Sequence, residues 1–128
     1  MKTKKIFATA INCMDGRVQL PVIKWLCSQY HVDYVDMITE PGPERVLAEG
    51  KKKTTIQSIR KRFEISVKRH NSSLVAIVGH YDCAGNPVNK DTQLEQVIIA
   101  VKTLESWNLR VQAVGLWIDK NQEIHHVK

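Results

Sequence analysis

Residues 74–85 read LVAIVGHYDCAG. The first five are apolar without any polar alternation, which predicts a strand over 74–78 covered on both faces, as strands of a parallel sheet are. Such a strand delivers Gly79, His80 and Cys83 just past its carboxyl end. Residues 5–13, KIFATAINC, have the same strand character and end on Cys13, the first residue of CMDGR at 13–17. Two strands of one kind, each ending in soft metal-ligand chemistry, set the frame for the rest of the chain.

The intervening segments alternate between helix and strand patterns, which predicts an α/β three-layer sandwich with a mainly parallel sheet. A helix is expected over about 21–30. Pro21 suits its first turn because the missing N–H there would be unpaired anyway, and Val22, Ile23, Leu26 and Tyr30 form the apolar stripe. A strand over 34–39 follows. The two prolines and glycine of Glu40-Pro41-Gly42-Pro43 are expected to stop both ladder and helix. A basic helix over 55–70 is opened by Thr54 and Gln57 at capping-box spacing and buries Ile56, Ile59, Phe63 and Val67. A second capping-box signature, Thr92 with Glu95, precedes Leu94, Val97, Ile98, Val101 and Leu104 at helical spacing. A strand over 111–118, a turn over 119–122 and a short strand over 123–127 give a C-terminal edge hairpin.

A length of 128 residues with 43% hydrophobic side chains predicts one domain with a full core, spanning residues 1–128. The three cysteines, Cys13, Cys27 and Cys83, are too few for a disulfide scaffold. Lys2, Lys4 and Lys5 ahead of an apolar run imitate a signal peptide, but the run ends within residues 6–11 and Asp15 and Arg17 follow, so a buried strand and a cytoplasmic protein are expected. No apolar stretch approaches the roughly 20 residues that span a bilayer. Nineteen Lys and Arg against thirteen Asp and Glu give a net charge of +6. With no stacking platform or nucleic-acid motif beside it, this charge reads as solvated helix surface, and nucleic acid is disfavoured as a partner.

Open α/β sheets place their ligand crevice at the carboxyl ends of strands where the winding reverses, so Cys13, His80 and Cys83 are expected to converge there. Two thiolates and an imidazole suit Zn²⁺ and fill three of four tetrahedral positions, leaving one for water or another protein ligand. Cys13, Asp15 and Arg17 alternate, so an extended segment would put them on one side. Arg17 then holds Asp15 anionic and directed. The carboxylate either orients water at the fourth position or occupies that position itself. Two thiolates neutralise the zinc charge and acidify bound water less than three histidines would, which makes Arg17 the electrostatic support for chemistry near neutral pH.

CMDGR resembles the Cys-x-Asp-x-Arg motif of the β-class carbonic anhydrases, and GHYDC resembles their Gly-His-x-x-Cys motif. The C-terminal VGLWIDKNQEIHHV is similar to their last strand and hairpin. The resemblance implies zinc held by Cys13, His80 and Cys83, an Asp15–Arg17 dyad as catalytic residues, reversible hydration of carbon dioxide to bicarbonate by hydroxide on the zinc, and a homodimer or higher homo-oligomer. Where the family commonly carries an Asn-Ala-Gly-Asn-like stretch, this chain has Glu40-Pro41-Gly42-Pro43-Glu44-Arg45, matching at Gly42.

Other readings stay open beside this one. Asp15 as a permanent fourth ligand would make a noncatalytic zinc-binding or anion-sensing protein, and carbonyl sulfide or carbon disulfide are alternative small substrates. Asp82 is either an acceptor behind the ligands or a turn residue facing solvent. Cys27 reads as packed core, Arg45 as surface charge, and His31 and His70 lack ligand-like partners. His125 and His126 are adjacent in a strand and face opposite sides, which argues against both joining one site.

Overall fold

A computed structural model of the chain describes residues 4–128; Lys2, the first of the N-terminal cations, lies outside them. Strands β1 (Phe7–Cys13), β2 (Tyr34–Glu40), β3 (Leu74–His80), β4 (Gln112–Ile118) and β5 (Ile124–His126) form one sheet in the order β2-β1-β3-β4-β5. The first four are parallel to their neighbours, and β5 closes the far edge antiparallel to β4. The expected mainly parallel sheet with a C-terminal hairpin is what forms. β3 is buried along its whole length, which is why its sequence shows no alternation.

Helices cover both faces. Helix α1 (Gln19–Tyr30) packs Val22 and Leu26 against Ala8, Ala10, Ala76, Val78 and Leu116 on one side. On the other, α2 (Pro43–Glu49), α3 (Lys53–His70) and α4 (Lys90–Ser106) bury Leu47, Ile59, Phe63, Val97 and Val101 against Ile11, Val75 and Ile77. Full burial of Phe63 alone contributes roughly 1.5–3 kcal/mol of apolar transfer. Chain direction explains the layering: β1 leads through α1 to β2 on one side, and the path through α2 and α3 then returns to β3 on the other side of β1. The winding therefore reverses between β1 and β3, and their carboxyl ends open onto a crevice.

Several local expectations are corrected. Helix α2 replaces the break expected at Pro43: the proline occupies its first turn, where no N–H is needed, and Gly42 takes φ +56 ahead of it. Helix α1 starts two residues before Pro21. Neither capping box forms. Helix α3 begins at Lys53, with Thr54 inside its first turn and no side-chain cap. Helix α4 begins at Lys90, capped by Asn89 Oδ1, which accepts from the Thr92 N–H at 2.8 Å. Its innermost face carries Gln93 and Ala100 with Val97, Val101 and Leu104, while Leu94 and Ile98 are half-buried. Strand β1 begins at Phe7, and β3 runs on to His80.

Ser66, the polar member of α3's buried face, answers to buried Thr9 on β1. Thr9 Oγ1 lies 2.6 Å from Ser66 Oγ and 2.8 Å from Ser72 Oγ, and Ser66 donates to Asp36 at 2.7 Å. The outer face of α3 keeps its cations in solvent, with Arg60 paired to Glu64 and Arg62 to Glu40. Among the described residues no helix is long and apolar enough to cross a membrane.

Candidate metal centre

Cys13 is the last residue of β1, His80 the last of β3, and Cys83 lies in the turn that follows. One donor atom from each lies within 4.8 Å of the other two, and all three residues are buried. The cysteines are free thiols with their sulfurs 3.8 Å apart. Two sulfurs each about 2.3 Å from one tetrahedral zinc stand about 3.8 Å from each other, so the pair fits the ion. His80 Nδ1 lies 2.6 Å from the Tyr81 carbonyl oxygen and donates to it, which fixes the tautomer. Nε2 is left as a buried lone pair with no hydrogen-bond partner among the described residues. That orphaned nitrogen beside two thiols is the donor set zinc takes up.

The two thiols titrate as a pair, with ionisation favoured at Cys13. The hydrogen bond from Cys83 brings Cys13 down to about 4, and the same bond, together with burial, pushes Cys83 up. For His80, burial opposes the charged form, but the neighbouring Cys13 outweighs it and the ring is raised overall.

The CMDGR loop is held by its own chain. Asn12 Oδ1 accepts from Cys13 N–H at 3.0 Å, and its Nδ2 donates to the Val18 carbonyl at 3.1 Å. Gln19 Nε2 donates to the carbonyls of Cys13 at 2.6 Å and Asp15 at 2.9 Å. Asp15 caps the short 3₁₀ turn Gly16–Val18 by accepting from Arg17 N–H at 2.9 Å. Its carboxylate also takes Arg17 Nε at 3.1 Å on Oδ1 and Nη2 at 2.7 Å on Oδ2. The Arg17 guanidinium brings Asp15 down to about 2. Asp15 stands outside the group of three metal donors.

Arg17 also joins the two motifs. It donates to the Tyr81 hydroxyl at 3.2 Å, to the Asp82 carbonyl at 3.1 Å and to Asp82 Oδ2 at 3.3 Å, and its guanidinium carbon lies 5.0 Å from the Tyr81 ring centroid. Asp82 is the solvent-facing turn residue, with Arg17 as its partner. A cleft of about 190 Å³ beside the donors is lined by Cys13, Met14, Asp15, Pro41, Ala84 and Gly85. Larger hollows border the amino ends of the strands, away from this chemistry.

Sequence reasoning missed Tyr81, Gln19 and Glu44. Glu44, in the first turn of α2, is fully buried with neither carboxyl oxygen hydrogen-bonded among the described residues. An acidic residue just after a helix-initiating proline was the available signal. His70 does have a carboxylate partner, Asp36 at 2.7 Å. His125 approaches Asp119 at 2.7 Å on the far edge without His126. Cys27 is half-buried against the α1 core, as expected.

A search of curated proteins finds no match to this chain. Among solved structures, the β-carbonic anhydrase isoform I of Trichomonas vaginalis superposes with a TM-score of 0.63 at 13% identity, over 99% of this chain and 85% of that one. The carbonic anhydrase of Glaciozyma antarctica gives 0.62 at 14% identity, over 100% and 86%. The β-carbonic anhydrase of Aspergillus fumigatus gives 0.52 at 16%, over 98% and 76%. At these identities the likeness establishes a shared fold. The family whose profile matches residues 3–128 carries the description "Putative carbonic anhydrase", and the chain belongs to it.

Proposed function

We propose that this chain holds zinc through Cys13, His80 and Cys83 and hydrates carbon dioxide reversibly to bicarbonate. The observation that carries the reading is the buried His80 Nε2, unpartnered beside two thiols at zinc-compatible spacing. A zinc ion there would supply Lewis acidity, lowering the pKa of water toward neutrality.

The chain's own residues account for the remaining work. The Asp15 carboxylate is anionic throughout the physiological range and fixed in direction by Arg17, so it can accept a proton-bearing hydrogen bond without itself taking the proton. Because both its oxygens are engaged by Arg17, the open fourth position is favoured over the reading in which Asp15 is a permanent ligand. Arg17 places positive charge behind Asp15, which lines the cleft where anionic bicarbonate would form. The small cleft suits a three-atom substrate, and its apolar lining by Met14, Pro41 and Ala84 suits a gas. Carbonyl sulfide and carbon disulfide share that shape. We place the protein in the cytoplasm, from the short apolar run at 6–11 followed by Asp15 and Arg17, and as a homodimer or higher homo-oligomer, following the family resemblance.

Stopped-flow hydration with zinc-loaded protein tests the reading. A rate well above buffer, lost in Cys13→Ser and His80→Ala, is expected. Stoichiometric zinc with no rate above buffer would leave only the binding function.

A further inference from the structure

Glu44 is the charge-bearing residue this reading leaves unused. Its side chain is fully buried in the first turn of α2, and no group among the described residues donates to either oxygen at hydrogen-bonding geometry. Its own backbone N–H and the Asn86 amide ease the charge without offsetting burial, and the other near groups are acceptors. Asn86 Oδ1 is equally buried and unpartnered, while its Nδ2 is taken by Gln96 Oε1 at 2.7 Å. Gln93 Oε1 already accepts from Trp117 Nε1 at 2.9 Å. A buried carboxylate facing acceptors is costly, whereas a carboxylic acid satisfies itself and a neighbour with one proton.

The position matters because Glu44 backs both metal motifs. A Cβ on Gly79, the residue before His80, would lie 2.8 Å from Glu44 Oε2. Asn86 N–H donates to the Cys83 carbonyl at 3.2 Å, closing the turn that carries that ligand. Immediately before Glu44, Pro41 and Gly42 meet Gly85 and Asn86 so closely that a Cβ on Gly85 would lie 2.6 Å from Pro41 Cβ.

We propose that Glu44 is a positioning residue for the metal centre, working as a neutral carboxylic acid whose O–H donates to Asn86 Oδ1 and so ties α2 to the Cys83 turn. The proposal rests on the metal-centre reading only for its consequence; the neutral acid stands on the buried cluster itself. Burial pushes the Glu44 carboxyl up to about 7 from an ordinary 4.5, in keeping with a group that keeps its proton. The charged groups whose fields act on it are His80 and Cys13, and it in turn raises Cys83; all three remain in Glu44→Gln. A difference between that variant and wild type therefore isolates Glu44.

The sign follows from linkage. A carboxyl raised in the folded state binds its proton more tightly there than in the unfolded chain, so wild type loses stability as pH rises from about 4.5 to about 7. Gln keeps a donor for Asn86 and cannot ionise. In thermal melts with chelator present, Glu44→Gln should gain on wild type across that interval and hold a constant advantage above it. Zinc competition against a chromophoric chelator at pH 6 should show wild-type affinity in Glu44→Gln and a loss of about tenfold or more in Glu44→Ala, as for other partners behind metal ligands. Parallel melting curves for wild type and Glu44→Gln would overturn the neutral acid. A zinc affinity in Glu44→Gln as poor as in Glu44→Ala would overturn it too, since the ionised carboxylate would then be what the site needs. If wild type binds no zinc, the metal-centre reading fails while the melting curves still decide the state of Glu44.

Discussion

Asp15 and Arg17 meet at both carboxylate oxygens, with Nη2 2.7 Å from Oδ2 and Nε 3.1 Å from Oδ1. The pair is two residues apart because the 3₁₀ turn that Asp15 caps folds the guanidinium back over it. Arg17 then reaches on to Tyr81 and Asp82, so one side chain sets the carboxylate and the relation between the two motifs. Lysine has no fork with which to do this. Arg17→Lys and Asp15→Asn should each lower the hydration rate by about 10²-fold, the scale for losing one preorganised polar group. Both should leave the circular dichroism spectrum unchanged, but Arg17→Lys, which loses the bonds to Tyr81 and Asp82, should also weaken zinc binding, whereas Asp15→Asn should not.

Zinc binding should release protons in a pH-dependent way. Cys13, brought down to about 4, has none to give near neutrality, while Cys83 is pushed up and holds its proton. Calorimetry in buffers of different ionisation enthalpy at pH 7 should return roughly one proton per zinc. Affinity should fall as pH is lowered, because protons compete for Cys83 and His80. An affinity flat from pH 8 to pH 6 would remove these groups from the site.

The approach of Gly85 to Pro41 gives a prediction about packing. A Cβ at Gly85 would meet Pro41 Cβ at 2.6 Å, the Pro41 carbonyl carbon at 2.7 Å and Gly42 N at 2.9 Å. Ring and backbone atoms cannot swing aside, so Gly85→Ala should destabilise by about 1–3 kcal/mol in urea unfolding, the usual cost of overpacking. It should also weaken zinc binding by shifting the Cys83 turn. Gly16→Ala, where a Cβ meets nothing within 4 Å, is the control and should change neither.

What was legible in the sequence follows from which forces act locally. Residues 74–78 read as a buried parallel strand because burial on both faces removes every polar position. The clustering of Cys13, His80 and Cys83 was readable because they lie at or just beyond strand ends, where parallel topology brings them together. Helix α2 was not. Pro41 and Pro43 carry the same local signal whether they end a strand or start a helix, and only the contact with the 85–86 turn decides between them. Asn89 took the cap from Thr92 because its own side-chain oxygen reaches the Thr92 N–H. Glu44 after Pro43 carried a helix-start signal, but nothing in its neighbours announces that α4 and β3 will close over it.

X-ray absorption at the zinc edge tests the central claim most directly. Zinc-loaded protein should show two sulfur neighbours near about 2.3 Å, one imidazole nitrogen near about 2.0–2.1 Å and one light oxygen scatterer. The Asp15→Asn spectrum should superpose on it, because that oxygen belongs to solvent. A first shell without two sulfurs, or an oxygen that disappears with the Asp15 carboxylate, would contradict an open zinc site built from Cys13, His80 and Cys83.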